Sequence, residues 1–369
     1  MNKKIVFVDD GRKKVFVGLE DSKKKWVICV RSDGEIIKQV TMPAQYMNLN
    51  NFFNNNFFGM RIIVIYETGF RGFSLHDKIV QDGHECIVIP ANKVTQAKDA
   101  RVKTDRIDAK RLAEILEMGD VVVCHVPEKR RRMDRQVSRT MVQVQENLKQ
   151  VKLRIQAFCL QHDIEFVAFN EPWTASVYKR LKDELLLKLD HSLQVCLNVY
   201  IKELELFMKL RQDLRKELSN LSQVAPYNEW FKYFKSAPGI GELTAIRFAL
   251  EWGDLTRFAT GKHFASYLGL TGSEFTTAES IRKGHITKQG NGQVRAWLIE
   301  SAWVAIRFDP VLKKKFNAVK GHKKSNNSKR AIVAVARKLA VRLWYLVTHK
   351  EEYTVGLIEK MTVKKLTNK

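Results

Sequence analysis

At 369 residues the chain exceeds what one hydrophobic core ordinarily holds, so two or three folding units are expected. Lysine and arginine outnumber aspartate and glutamate 64 to 40, and the formal charge of +24 is more than solubility requires. It suits a polyanionic partner, nucleic acid ahead of a membrane surface. No run is long and apolar enough to span a bilayer, and the opening MNKKIVFVDDGRKK lacks the apolar core of a secretion signal, which makes a cytoplasmic protein with no membrane partner the expectation.

Taken in chain order, Lys14 to Val30 alternates apolar and polar residues around Gly18-Leu19-Glu20-Asp21, which predicts two strands joined by a tight polar hairpin. A third apolar run, Arg61 to Tyr66, ends in Glu67-Thr68-Gly69; a helical stretch from Phe73 to Asp82 leads to a fourth, Glu85 to Pro90. Strands alternating with helices imply an α/β sheet covered by helices. From Lys103 to about Gly119 Ile107, Arg111, Ala113 and Leu116 recur at helical spacing. The cysteines met on the way, Cys29, Cys86 and Cys124, and the later Cys159 and Cys196 are odd in number and widely spaced, so they read as reduced, mostly buried thiols.

After Pro127 a charge run, Glu128 to Arg135, opens a long helical tract in which Val137, Val144, Leu148, Val151 and Ile155 keep a heptad-like period. A second tract covers Tyr178 to Leu221, separated by an Asn170-Glu171-Pro172 break. Two antiparallel helices or a dimerising coiled coil both fit. The C-terminal unit runs from Tyr227 to about Tyr353, includes a helix from Ala331 to Thr348, and is followed by a basic tail. Trp297, Trp303 and Trp344 have helical surroundings and read as core.

Four acidic positions stand out in the first half: Glu20 and Glu67 at strand ends, where a glutamate is more often a solvated charge, and Asp105 with Asp108 on a helix, where such a pair more often serves capping and the helix dipole. Residues three apart share a helical face, so the two aspartates can point together at the edge of a sheet. Carboxylates converging there are what paired magnesium ions need, because hard cations prefer oxygen and two of them can clamp a phosphoryl displacement. In the second half, Ser236-Ala237-Pro238-Gly239-Ile240-Gly241 before an amphipathic helix looks like a helix-hairpin-helix, with Gly239 and Gly241 bringing backbone N–H groups to a phosphate. Arg282, Lys283, His285, Lys288 and Arg295 form a basic cluster, joined by Lys313 to Lys315, Lys329 and Arg330, that reads as a nucleic-acid backbone surface.

VFVGLEDSKKKW, IYETGFRGF, GHECIVIP and above all RVKTDRIDAKRLAEIL resemble the DEDD transposases of insertion sequences, bridge-RNA-guided recombinases related to pilin-gene invertases. APGIGELTAIRFALEWGDLTRFATGKHFASYLGL and the following TGSEFTTAESIRKGHITKQGNGQVRAWLIESAWVAIR are similar to their second domain. The resemblance implies an α/β RNase H-like (RuvC-like) domain over residues 1–127, a long helical, coiled-coil-like linker or oligomerisation region over 128–226, and a mainly α domain with the helix-hairpin-helix-like element over 227–353. It implies Mg2+ at Glu20, Glu67, Asp105 and Asp108, and a hydroxyl nucleophile at Thr277 that forms a covalent link to DNA. It implies as partners double-stranded DNA, a structured guide RNA and further copies of the chain, a dimer or tetramer. Where the family carries Asp and Ser, this chain has Glu20 and Thr277, so a second reading stands beside the first: a DNA- or RNA-binding descendant with lost or reduced catalysis.

Overall fold

The first apolar run forms β1 (Lys14–Asp21), answered by β2 (Lys25–Ser32) in antiparallel register with Phe16 opposite Arg31 and Asp21 opposite Trp26. The computed structural model describes residues 7, 10–91, 104–165, 173–185, 189–276, 281–321 and 327–355, and the chain divides into two units, 1–127 and 128–369. The hairpin turn is Ser22 to Lys24, not Gly18 to Asp21; those four residues complete the strand. Gly18 is a strand glycine for another reason, close approach. A Cβ there would stand 2.1 Å from the Ala109 carbonyl oxygen and 2.4 Å from the Ala113 nitrogen of α3 (Asp105–Glu117).

β3 (Glu35–Pro43) adds an exposed edge to the meander. Beyond β1, β4 (Arg61–Glu67) and then β5 (Glu85–Ile89) run parallel to it, giving the order β3-β2-β1-β4-β5. α1 (Tyr46–Phe57) leads into β4 and α2 (Ser74–Gln81) joins β4 to β5. Leu49, Phe53 and Phe57 of α1 and Leu75 and Ile79 of α2 cover one sheet face against Val15, Val17, Leu19, Val64 and Tyr66. On the other face Phe16, Ile63 and Ile65 pack on Leu112 and Leu116 of α3. Both faces of the central strands are therefore dry, which accounts for their near-continuous apolar sequence. This mixed sheet with helices on both sides is consistent with an RNase H-like domain.

In the second unit α4 (Lys129–Gln161) and α6 (His191–Leu221) pack against each other within one chain. They run antiparallel: Met141 clusters with Leu218 and Leu221, Arg154 reaches Glu203 at 2.9 Å, and Phe158 meets Tyr200 with ring centroids 5.8 Å apart. A short α5 (Ala175–Arg180) precedes α6, and the Asn170-Glu171-Pro172 break lies outside the described residues. The chain continues through α7 (Tyr227–Ser236), α8 (Glu242–Trp252), α9 (Gly261–Tyr267), the hairpin β6 (Gly272–Thr276) and β7 (Ile281–Ile286), α10 (Gly292–Phe308), α11 (Pro310–Lys320) and α12 (Ser328–His349). Phe234, Phe248, Trp252 and Phe264 interlock at the centre of this core, Phe248 stacked on Trp252 at 4.0 Å. Among the described residues no helix is long and apolar enough to cross a membrane.

Two of the three tryptophans behave as core. Trp297 is buried, and Trp344 donates Nε1 to the carbonyls of Leu255 and Phe258. Trp303 does not: it is 41% exposed, with one edge on Phe316.

Arginines one turn apart on α4 meet the C-terminal end of α8. Arg131 donates to the Trp252 carbonyl at 3.1 Å, Arg139 grips Glu251 through bonds of 2.9 and 3.1 Å, and Arg135 stands 3.8 Å from the same carboxylate. Cations there complement the helix dipole, and Glu251 is the shared counter-ion of Arg135 and Arg139. Burial, reinforced by the like charge of Arg139, pulls the Arg135 guanidinium below its ordinary value. Glu251→Gln is expected to lower stability by about 2 kcal/mol in urea unfolding, below the full cost of breaking a buried pair because Arg139 is half exposed.

Candidate active site

The four carboxylate positions come to one edge of the first sheet through strand register and helix direction. Leu19 pairs with Tyr66, so the next residues, Glu20 and Glu67, are neighbours at the C-terminal end of the parallel β1–β4 pair. Side chains alternate along a strand. Because Phe16 packs with Leu112 and Leu116, and Gly18 meets Ala109 and Ala113, Glu20 is the next residue on the α3 face, level with the first turn of that helix. Ile63 and Ile65 share the same cluster, which puts Glu67 on that face too.

α3 is fixed at both ends. Thr104 caps it, its hydroxyl accepting from the Ile107 N–H at 3.3 Å, so that Asp105 and Asp108 occupy the first turn. Both are half-buried and precede the buried Ala109 and Leu112. Gln39 donates to the Arg106 carbonyl at 3.0 Å. At the far end Glu117 accepts from Arg31 Nε and the Gly34 N–H, each at 2.8 Å, and the first of these bonds holds the Arg31 guanidinium above its ordinary value. Gly18→Ala would push α3 off the sheet, since the obstructing atoms are helix backbone. The expected cost is about 2–3 kcal/mol, read as a lower urea midpoint and faster amide exchange over 105–117; an unchanged midpoint would remove Gly18 from this role.

The arrangement supplies hard oxygen donors of the kind divalent cations take. It is not a ready-made ligand group: among the described residues no three carboxylate, imidazole or thiolate side chains stand close enough to hold a metal. Lys25, a residue that no motif in the sequence marks, explains part of this. Its ammonium stands 3.6 Å from Asp105 and would have to give way to a cation. The antiparallel register, which sets Asp21 opposite Trp26, is the signal that could have placed Lys25 at this edge.

Asp21, adjacent to Glu20, faces the other side. Trp26 Nε1 and Arg71 Nε each donate to it at 2.7 Å, while burial, the stronger influence, pushes its carboxyl above the ordinary value. It ties the hairpin to the segment after β4.

In the second unit, Thr277 to Ser280 lie outside the described residues; in sequence they join β6 to β7. The side chains of Arg282 and Lys283 are likewise outside, although their backbone pairs with Phe275 and Glu274. His285 and Lys288 are exposed. Arg295 is engaged with the backbone, donating to the Gln289 and Gly290 carbonyls at 3.0 Å each, and so braces the loop before α10. Gly239 has φ +81° and sits on α10, where a Cβ would lie 2.2 Å from the Ser301 oxygen. Close packing and backbone conformation thus account for this glycine. Gly241 opens to solvent at the start of α8, beside the exposed Lys235–Glu242 pair at 2.7 Å.

Comparison with known proteins falls on the same two stretches. Residues 17–162 match the DEDD transposase family of IS110, and residues 232–317 match the family described as transposase IS116/IS110/IS902. A Sinorhizobium fredii protein named as a transposase, y4qE, is 26% identical over 323 residues, 82% of this chain and 74% of its own. The transposase for insertion sequence element IS1533 of Leptospira borgpetersenii is 23% identical over 68% of this chain and 73% of its own. That for IS1111A of Coxiella burnetii is 31% identical over 37% of this chain and 38% of its own. A mixed sheet followed by a helical body is consistent with the RNase H-like domain of a DEDD transposase. The chain belongs to the IS110 family of insertion-sequence transposases, and membership implies DNA binding.

Proposed function

We propose that the chain cuts and rejoins DNA through a hydroxyl nucleophile, Thr277, assisted by Mg2+ held at Glu20, Glu67, Asp105 and Asp108. The observation that carries this reading is the placing of all four acidic residues on the α3 face at one end of the β1–β4 pair. A bound divalent cation would stabilise charge developing on the phosphoryl oxygens. Thr277 Oγ attacks phosphorus, a DNA oxygen leaves and takes up a proton, and the phosphothreonine link conserves the bond energy for rejoining. A structured RNA directs the reaction to its sites. Copies of the chain assemble through the α4–α6 hairpin, where Val195, Val199, Leu206 and Leu210 leave an exposed apolar stripe at four- and seven-residue spacing.

A binding protein with blunted catalysis is the second reading. Glu20 adds a methylene to a metal ligand, the β-branch of Thr277 stiffens the nucleophile, and Lys25 already pairs with Asp105. Plasmid excision with Mg2+ separates the two. The first reading expects the native chain to be active, and Glu20→Asp with Thr277→Ser to raise its rate by about tenfold, some 1.4 kcal/mol. A native chain without activity that gains it only in the double variant would establish the second.

A further inference from the structure

The second unit holds a groove of about 1610 Å³ that the hydroxyl and carboxylate chemistry leaves unused. One wall is the β6–β7 hairpin through Gly272, Ser273, Gly284 and Ile286; the other is the outward face of α12. Seven lysines and arginines line it against a single carboxylate, Glu274. On α12 the lining residues come in pairs: Lys329 and Arg330, then Val333 and Ala334, then Arg337 and Lys338. Lys329 and Arg337, eight residues apart, are separated by about 12 Å along the helix axis. Lys262 of α9 and Lys315 of α11 add charge from the flanks.

Like charges repeated on one helix face repel, and a concave surface concentrates their field, so the groove calls for a polyanion. The small apolar steps between the charges, continued by Leu270 and Val341, narrow the choice. A duplex shows phosphate and sugar outward and keeps its base faces stacked inside. An unpaired strand has apolar faces free to meet Val333, Ala334 and Val341 while its phosphates meet the cations. The groove wall is also the hairpin whose connecting residues include Thr277.

We propose that this groove seats one unpaired DNA strand, with Lys262, Lys315, Lys329 and Arg337 on its phosphates, and holds it along the hairpin that carries the nucleophile. Assigning the strand as the DNA to be cut rests on the transposase reading; the binding does not. Lys329 and Arg337 are exposed, so their replacement leaves the core intact.

The test is fluorescence anisotropy of the full-length chain with a short single-stranded DNA, its duplex, and a single-stranded RNA of the same sequence, over a range of salt. Lys329→Ala with Arg337→Ala is expected to weaken single-stranded DNA binding by about tenfold and to make the log–log salt slope shallower by about 1.4, two phosphate contacts at roughly 0.7 each. Equal charge removal by Lys149→Ala with Lys216→Ala, on the α4–α6 hairpin, leaves that slope in place. An unchanged slope in the groove variant, an equal loss in the hairpin variant, or a loss confined to duplex or to RNA overturns the proposal. A native chain that recombines nothing but shows the expected groove effect defeats the transposase reading alone.

Discussion

Glu67→Gln is expected to reduce plasmid excision by about a thousandfold while leaving the urea midpoint within roughly 0.5 kcal/mol of the native chain. Glu67 ends β4, half-buried, where its charge contributes little to packing, so removing the charge tests chemistry rather than folding. The magnitude follows from charge stabilisation by a bound cation, worth several kcal/mol in a displacement at phosphorus, at about 1.4 kcal/mol per factor of ten. Asp108→Asn, one turn into α3, should behave alike. Asp105→Asn should differ in one respect: it frees Lys25 from its 3.6 Å ion pair. If Glu67→Gln excises as well as the native chain, the shared edge of β1, β4 and α3 has no catalytic part.

The largest effect on stability is expected at Asp309. Its carboxylate is fully buried against Arg342 at 2.6 Å, accepts from the Tyr353 hydroxyl, and caps α11 by accepting from the Leu312 N–H at 2.9 Å. Tyr353 in turn bonds its backbone N–H to Ser236 at 2.9 Å, tying the end of the described chain to α7. Asp309→Ala leaves Arg342 charged and enclosed, at a cost of about 3–5 kcal/mol. Asp309→Leu with Arg342→Met removes both charges and should recover most of that loss. Burial by itself would raise the Asp309 carboxyl, but the hydrogen bonds from Tyr353, Leu312 and Arg342 outweigh it and hold the group below its ordinary value of 3.8. A depressed carboxyl stabilises the fold above the unfolded value and loses that contribution as pH falls through the folded one. Urea midpoints should therefore be steady in this respect near neutrality and fall below about pH 4, with the fall reduced in the double variant. A double variant as unstable as Asp309→Ala would show that the capping bond, not the charge pair, dominates.

Much of this architecture is legible in the residues, and the parts that are not have physical reasons. The central strands announced themselves as apolar runs because both faces of the sheet are covered. β3 did not: Ile36 and Ile37 are 42% and 47% exposed at the sheet edge, so no inward-outward alternation marks it. α1 hid behind its asparagines, poor helix formers, although Leu49, Phe53 and Phe57 sit at four-residue spacing and are its buried face. Gly18 misled in an instructive way, since a glycine between apolar residues suggests a turn whereas here it admits a helix backbone. The acidic positions could be picked out by residue type, but their common face follows only from pairing β1 with β4 and laying α3 antiparallel to them. Lys25 beside Asp105 is a product of that assembly, whereas on α12 Lys329 and Arg330 stand out in the sequence and Arg337 and Lys338 join them only through the helix.

In the proposed reaction the Thr277 hydroxyl joins to DNA with help from the carboxylate edge. Incubating the native chain with Mg2+ and a nicked, labelled DNA substrate that traps the joined species, then mapping the adduct by peptide mass spectrometry, tests it most directly. The expected product is a phosphodiester on Thr277 that disappears with Glu67→Gln or on chelation of Mg2+. An adduct on another residue, or one that persists undiminished in Thr277→Ala, contradicts it.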